Sequence, residues 1–422
     1  MKNLIDLLNV SYTAFDACEN IKQRLLEEGF TPLKATGDWQ LAEGGKYFVE
    51  RGGASLIAFT LGSLDNFSYK IGACHIDSVA LKIKENPVQK TVAGYTLNVE
   101  PYGGANWNSF LDRPLKIAGR VVKCENNRIL SKRVLSPFTL TIPSVAIHQN
   151  REVNDGLPIQ LQKDLAPLLG ISEESMNWLS KIVEDGVLSH DLFLVSAQEA
   201  FYSGVENELL SSPRIDDMTG AGAILEAIVS HADSDGVCVS AFFNAEEIGN
   251  VTYTGANSEF LETVLRRIAY ALRFDDDEFY KALGSSFLLS VDNGHAFHPN
   301  HPEKSDPTNR CVLGGGVAIK FHAKGAYITD GFSAGVVKAL FDKAGVKYQS
   351  FFNRSDAKSG ATLGQTTVQR LGIPGADIGL AQLAMHSACE CCAPADYEEL
   401  KNGLTAFYSS DFLTEDDGLI IG

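Results

Sequence analysis

The sequence predicts an α/β chain, with a mixed β-sheet covered by helices on both faces and an inserted, mostly β domain. Three observations predict it. Apolar runs such as 237–243 carry almost no polar residue, as strands buried on both faces do. Segments of helical periodicity alternate with these runs. Between about Val88 and Ser196 the pattern changes to short β-branched runs divided by prolines.

Taken in order, a helix is expected over 13–28. Phe15, Cys18, Ile21, Leu25 and Leu26 share one face there, Thr13 or Ser11 can cap it, and Gly29 ends it. Strands are expected at 46–50, 54–60 and 69–74. In the middle block 120–123 and 138–142 read as strands, with Pro114, Pro137 and Pro143 marking the loops. A buried helix over 218–231 leads into the strand at 237–243. Strands at 286–291 and 317–322 and a helix at 333–344 follow. The expected division is one domain in two parts, 1–88 and 201–422, around an insert at 89–200. No internal repeat or low-complexity tract interrupts it.

The chain has 422 residues, 45% of them hydrophobic and 21% charged, the balance of an ordinary globular protein. Its formal charge of -17 argues against nucleic acid, whose phosphates attract clustered Lys and Arg. No run reaches the roughly 20 apolar residues of a membrane span. Asn3, Asp6 and Asn9 interrupt any secretory signal core. The 8 cysteines are scattered apart from Cys389, Cys391 and Cys392, so free thiols and a cytoplasmic address are expected.

Chemistry gathers at the ends of the apolar runs. Glu246 and Glu247 close the run 237–245. Two acids at a buried strand end are costly unless a positive charge meets them. With a metal ion there, one acid can ligate and the other can move a proton. His75 and Asp77, two apart after a strand, point the same way on an extended segment, so the Asp can orient a metal-bound imidazole. Asp216 or Asp217 can cap the following helix, or one of them can bridge two cations. Asp292 ends another strand, and His386 opens the C-terminal segment. Carboxyl ends of strands are where ligands bind in open α/β sheets. His and carboxylate donors suit zinc, cobalt or manganese, and two such ions about 3.5–4 Å apart are a usual hydrolytic clamp.

Across nearly its whole length the chain resembles the aspartyl aminopeptidase family of dinuclear metallopeptidases. The resemblance is carried by 20–25, 44–49, 75–78, 147–151, 212–216, 246–249, 298–300, 329–333 and 383–387. It implies a phosphorylase/hydrolase-like metallopeptidase domain and a large homo-oligomer. It implies that His75 and Asp292 hold one cation, that Glu247 and His386 hold the other, and that Asp216 bridges them. Asp77 would orient His75, and Glu246 would be the general base. His148 would steady the developing oxyanion, reaching a neighbouring subunit's site. Lys320 would face an acidic side chain of the substrate. The implied activity is release of N-terminal residues, preferably Asp or Glu, from unblocked peptides. Two rival readings are a related carboxypeptidase or deacylase, and a non-catalytic assembly protein.

The chain departs from the family pattern at Asp217, where Asn is usual, at Asn293-Gly294, and at Cys74, where a small residue is usual. Cys389, Cys391 and Cys392 could add a thiolate ligand, although inert thiols are the expectation. The pattern 331–335 matches a serine-hydrolase elbow but lacks the strand directly before it, so Ser333 reads as a helix-start residue. The glycines at 314–316 lack the ending of a phosphate loop. His295, His298 and His301 read as groups that pack their loop or that support a ligand from behind.

Overall fold

The computed structural model describes residues 4–358, 360–415 and 418–422. Asn3 lies outside them. The main sheet runs, in spatial order, Thr31–Leu33, Lys46–Arg51, Ser55–Leu61, Val237–Phe243, Tyr69–His75, Phe287–Val291, Gly375–Gly379, Val317–Phe321 and Tyr348–Phe352. The four strands from Val237–Phe243 to Gly375–Gly379 are parallel, and antiparallel pairs flank them.

Alternation along these strands feeds two cores. Leu56, Ala58, Cys238, Phe242 and Cys74 face one side, under the helices Ala14–Glu27, Ile215–Ser230, Gly331–Ala344 and Pro394–Ser409. Ile57, Phe59, Val239, Phe243 and Ile71 face the other, under Phe260–Ala271, Asp276–Gly284 and Leu363–Leu371. A period of two on one strand therefore fills both layers. Thr13 caps the first of these helices through a reciprocal box with Asp16. Leu26, expected on its buried face, is exposed at 39%.

A second sheet, wholly antiparallel, orders Arg128–Leu135, Leu115–Glu125, Val187–Ser196, Ala80–Thr91, Gly94–Tyr102 and Leu168–Gly170. Its strand Ala80–Thr91 runs across the expected boundary at 88/89. The segment 138–142 is not a regular strand. It makes only isolated bridges, Leu140 to Leu115 and Thr141 to Leu168. Pro137 and Pro143 flank it and offer no N–H to extend a ladder.

A small third sheet orders Phe201–Ser203, Leu209–Ser212, Glu390–Cys392, Ala381–Leu383 and Gly294–His295. It ties together three segments that lie far apart in sequence, next to Asp216, His386 and Asp292. Among the described residues no helix is long and apolar enough to cross a membrane.

Candidate metal centre

Parallel pairing brings the strand ends level. Phe243 sits opposite His75, and Ser290 opposite Ala73, so the same register carries Asp292 alongside His75. Three residues beyond Phe243 the chain makes a tight turn, Glu246–Ile248, between left-handed Ala245 and Gly249 (φ 65° and 88°). Asp216 enters at the start of the buried helix Ile215–Ser230, whose backbone is non-helical at Asp216 and Asp217. The Asp216–Asp217 peptide is cis. His386 stands in the loop between Ala381–Leu383 and Glu390–Cys392 with φ 63°. Arg214, Ala245 and Ala384 are also left-handed non-glycine residues beside these side chains (φ 64°, 65° and 55°). Such conformations persist only where tertiary contacts impose them.

Two donor groups result. His75, Asp216 and Asp292 form one, and Asp216, Glu247 and His386 the other, with ligand atoms inside each group within 4.8 Å of one another. Asp216 belongs to both. Its Oδ1 lies 3.4 Å from His75 Nε2, and its Oδ2 lies 3.2 Å from His386 Nε2. His386 Nε2 is also 3.4 Å from Glu247 Oε2. Glu246 is in neither group.

The imidazoles are oriented by carbonyls. His75 Nδ1 donates to the Asp77 carbonyl oxygen at 3.0 Å, and His386 Nδ1 donates to the Gly104 carbonyl oxygen at 2.7 Å. With one proton on Nδ1, each Nε2 is left facing a carboxylate oxygen. Two acceptors that close repel unless a proton or a cation lies between them, and this tautomer is the one a ligating imidazole uses. The Asp77 carboxylate itself has another task. Its oxygens accept from Glu246 N at 3.1 Å, Glu247 N at 3.3 Å and the Tyr102 hydroxyl at 2.8 Å, which grips the turn carrying both acids. Its distance to His75 Nδ1 is 3.6 Å.

The second sheet closes the site from outside. A Cβ on Gly103 would lie 3.1 Å from Glu247 Cβ, and φ is +75° there, so only glycine lets this backbone come so close. Asn106 N donates to the His386 carbonyl, and Ala388 N donates to Ser109 Oγ.

Charge is out of balance in this cluster. Burial pushes the Glu246 carboxyl up to about 8, against the pull of His75 and with the help of Asp292, Asp77 and Asp216. Burial likewise raises Asp292 to about 6, partly offset by Lys320, and pushes Glu247 and Asp217 well above the usual carboxylate range. Asp216 goes the other way. Burial raises it, but hydrogen bonds and charge from His386 and His75 hold it below the ordinary value. Burial lowers His386, yet Asp216 and Glu247 bring it up to about 10, and His75 is raised in the same manner by Asp216 and Asp77. Asp216 Oδ1, Asp217 Oδ2 and Glu247 Oε1 are buried with no hydrogen-bond partner. Buried carboxylates with unpartnered oxygens, clustered with two imidazoles, are the donor set that divalent cations fit.

The other candidates are members of neither donor group. Lys320 is buried, and its Nζ donates to the Asp292 and Asn293 carbonyls at 3.1 and 2.9 Å, with Asp292 Oδ1 at 3.8 Å. His148 occupies an exposed turn of the second-sheet region, away from both donor groups. Cys389, Cys391 and Cys392 belong to neither group, and burial raises each thiol. Ser333 bonds the Asp330 carboxylate inside a capping box. Sequence reasoning missed Tyr102, Gly103, Gly104 and Glu390. Glu390 could have been suspected from its place four residues after His386.

Overlapping imidazole–carboxylate groups at the carboxyl edge of a doubly covered α/β sheet define a class, the metal-dependent hydrolases. The family described as Aminopeptidase I zinc metalloprotease (M18) matches residues 7–408. A probable M18 family aminopeptidase 2 of Clostridium acetobutylicum is 39% identical, over 97% of this chain and 98% of that protein. Among solved structures, the cryo-EM structure of the Ape4 and Nbr1 complex matches with TM-score 0.91 at 29% identity, covering 96% of this chain and 84% of that one. A dodecamer of mApe1 from S. cerevisiae shares the fold, with TM-score 0.83 at 24% identity, covering 96% and 95%. The chain belongs to the M18 aminopeptidase family and is a metal-dependent aminopeptidase.

Proposed function

We propose that the chain removes N-terminal residues, preferably Asp or Glu, from unblocked peptides, using two divalent cations, zinc in the first place and cobalt or manganese as substitutes. His75 and Asp292 would hold one cation, Glu247 and His386 the other, and Asp216 would belong to both. The observation that carries this reading is the sharing of Asp216 between two donor groups within 4.8 Å. When bound, the cations supply Lewis acidity to the attacking water and to the scissile carbonyl.

The chain's own groups do the rest. Glu246, outside both donor groups, accepts the water's proton and passes it to the leaving amine. Its carboxyl, held up at about 8 by burial, is brought down toward neutral pH by added positive charge nearby. Asp77 and Tyr102 keep the Glu246–Glu247 turn in place. The acidic preference is supported by Lys320, a buried ammonium beside Asp292. A further role for His148, in a neighbouring subunit's site, is supported by its exposed turn with Val145 and Ile147, exposed at 58% and 46%. Those apolar residues also support a large homo-oligomer, as in the S. cerevisiae dodecamer. The free cysteines support a cytoplasmic address.

The test is a panel of free and N-blocked aminoacyl substrates, assayed after chelation and after return of zinc, cobalt or manganese. Cleavage of free substrates alone, restored by metal, is expected; equal cleavage of blocked ones would overturn the reading. Lys320→Leu is expected to reduce cleavage of acidic substrates far more than leucyl ones, and equal losses reject the preference.

A further inference from the structure

Glu390 is 2% exposed and lies in the strand Glu390–Cys392 of the third sheet. Both of its carboxylate oxygens are engaged. Oε2 accepts from the Asp216 N–H at 3.0 Å, and Oε1 accepts from the His386 N–H at 2.6 Å. These amides belong to two members of the Asp216–Glu247–His386 group, which arrive on segments far apart in sequence. Neither segment is regular at that point. Arg214, just before Asp216, has φ 64°, and His386 itself has φ 63°. Local propensity does not hold such a backbone, so a tertiary bond must.

Glu390 can supply that bond because its own backbone is anchored on both sides. Ser212 pairs with it directly, and Cys391 and Cys392 pair with Leu383 and Gln382. One carboxylate thus bolts the start of the Asp216 helix to the His386 loop. It belongs to neither donor group itself.

We infer that Glu390 is a positioning residue that sets the affinity of the Asp216–Glu247–His386 group for its cation by fixing the backbones of Asp216 and His386. The inference rests on the two-cation reading above. A Gln here has one carbonyl oxygen, and its NH2 would face the other amide, donor against donor. An Asp keeps both oxygens but is one methylene shorter, so it reaches one amide and not both.

The experiment is calorimetric titration of zinc into metal-stripped full-length wild type, E390Q and E390D, with thermal melts of each. Wild type taking up fewer than two ions would defeat the two-cation reading itself and say nothing against the bolt. Given two ions in wild type, each variant is expected to weaken the Asp216–Glu247–His386 site about 10–100-fold, the usual effect of losing an outer-shell partner, and the site that shares only Asp216 by clearly less. Raising zinc should then restore kcat with little change in KM. Two sites of wild-type affinity in either variant, or equal weakening of both sites alongside a lowered Tm, would overturn the inference.

Discussion

Two sets of buried acids in this molecule have opposite surroundings. Asp396 and Asp377 are 1% and 0% exposed, yet their oxygens are fully engaged. Asp396 accepts from Gly314 N and Gly316 N at 2.8 and 2.7 Å, and Asp377 accepts from Ile328 N and Thr362 Oγ1 at 2.6 and 2.7 Å. Asp216 and Glu247 are as deeply placed, their side chains 4% and 3% exposed, but each keeps an oxygen with no hydrogen-bond partner. Burial alone therefore does not mark a site. A satisfied buried acid is part of the frame, whereas one with an unpartnered oxygen in a cluster with imidazoles asks for a cation.

The sharpest break in that contrast is at Glu246. Glu246→Gln is expected to lower kcat by about 10²–10⁴-fold, the usual share of a general base. Zinc content should stay at the wild-type value, and retained turnover would remove Glu246 from its role. Next in size is metal removal. Zinc at 100 times its Kd stabilises by about 2.7 kcal/mol per site, so melts with and without chelator should separate by that order for each filled site. Asp216→Asn should abolish the separation, since both groups lose their common member.

A third effect is a slope with pH. Burial raises Asp292 to about 6 and Glu246 to about 8, above their unfolded values of roughly 4. Between about pH 4 and 8 the cation-free fold holds protons that the unfolded chain has released, so stability falls as pH rises. Urea melts of stripped protein should show this decline, and saturating zinc should flatten it. The smallest effect belongs to the satisfied acids. Asp396→Ala orphans two glycine amides and should cost about 1–3 kcal/mol. Zinc affinity and kcat per folded molecule should not move; a change in either would erase the distinction between the two sets.

Several features could be read directly from sequence. The mostly apolar runs at 237–243 and 286–291 announced strands covered on both faces, and the acids at their ends marked candidate donors. Ser333 was legible as a helix start because no strand immediately precedes it. The glycines at 314–316 were legible as no phosphate loop, but not as an anion cradle; they hold the chain's own Asp396. The segment 138–142 looked like a strand because β-branched composition speaks for a pleated surface, not for a neighbour to pair with. Tyr102 carried no local signal, since it matters through a partner 25 residues away, and Glu390 carried only its place four residues after His386.

By itself the sequence determined which side chains were available and the alternation that buries two layers, because periodicity is a property of neighbours along the chain. It also carried the family resemblance that joined five candidate donors to one site. The tertiary structure alone decided how those side chains meet. The third sheet draws Asp216, Asp292 and His386 to one edge, and Asp77, Gly104 and Glu390 aim them. The bonds of Gly104 to His386, of Asp77 to Glu246 and of Glu390 to Asp216 join residues far apart along the chain, where no local pattern could announce them.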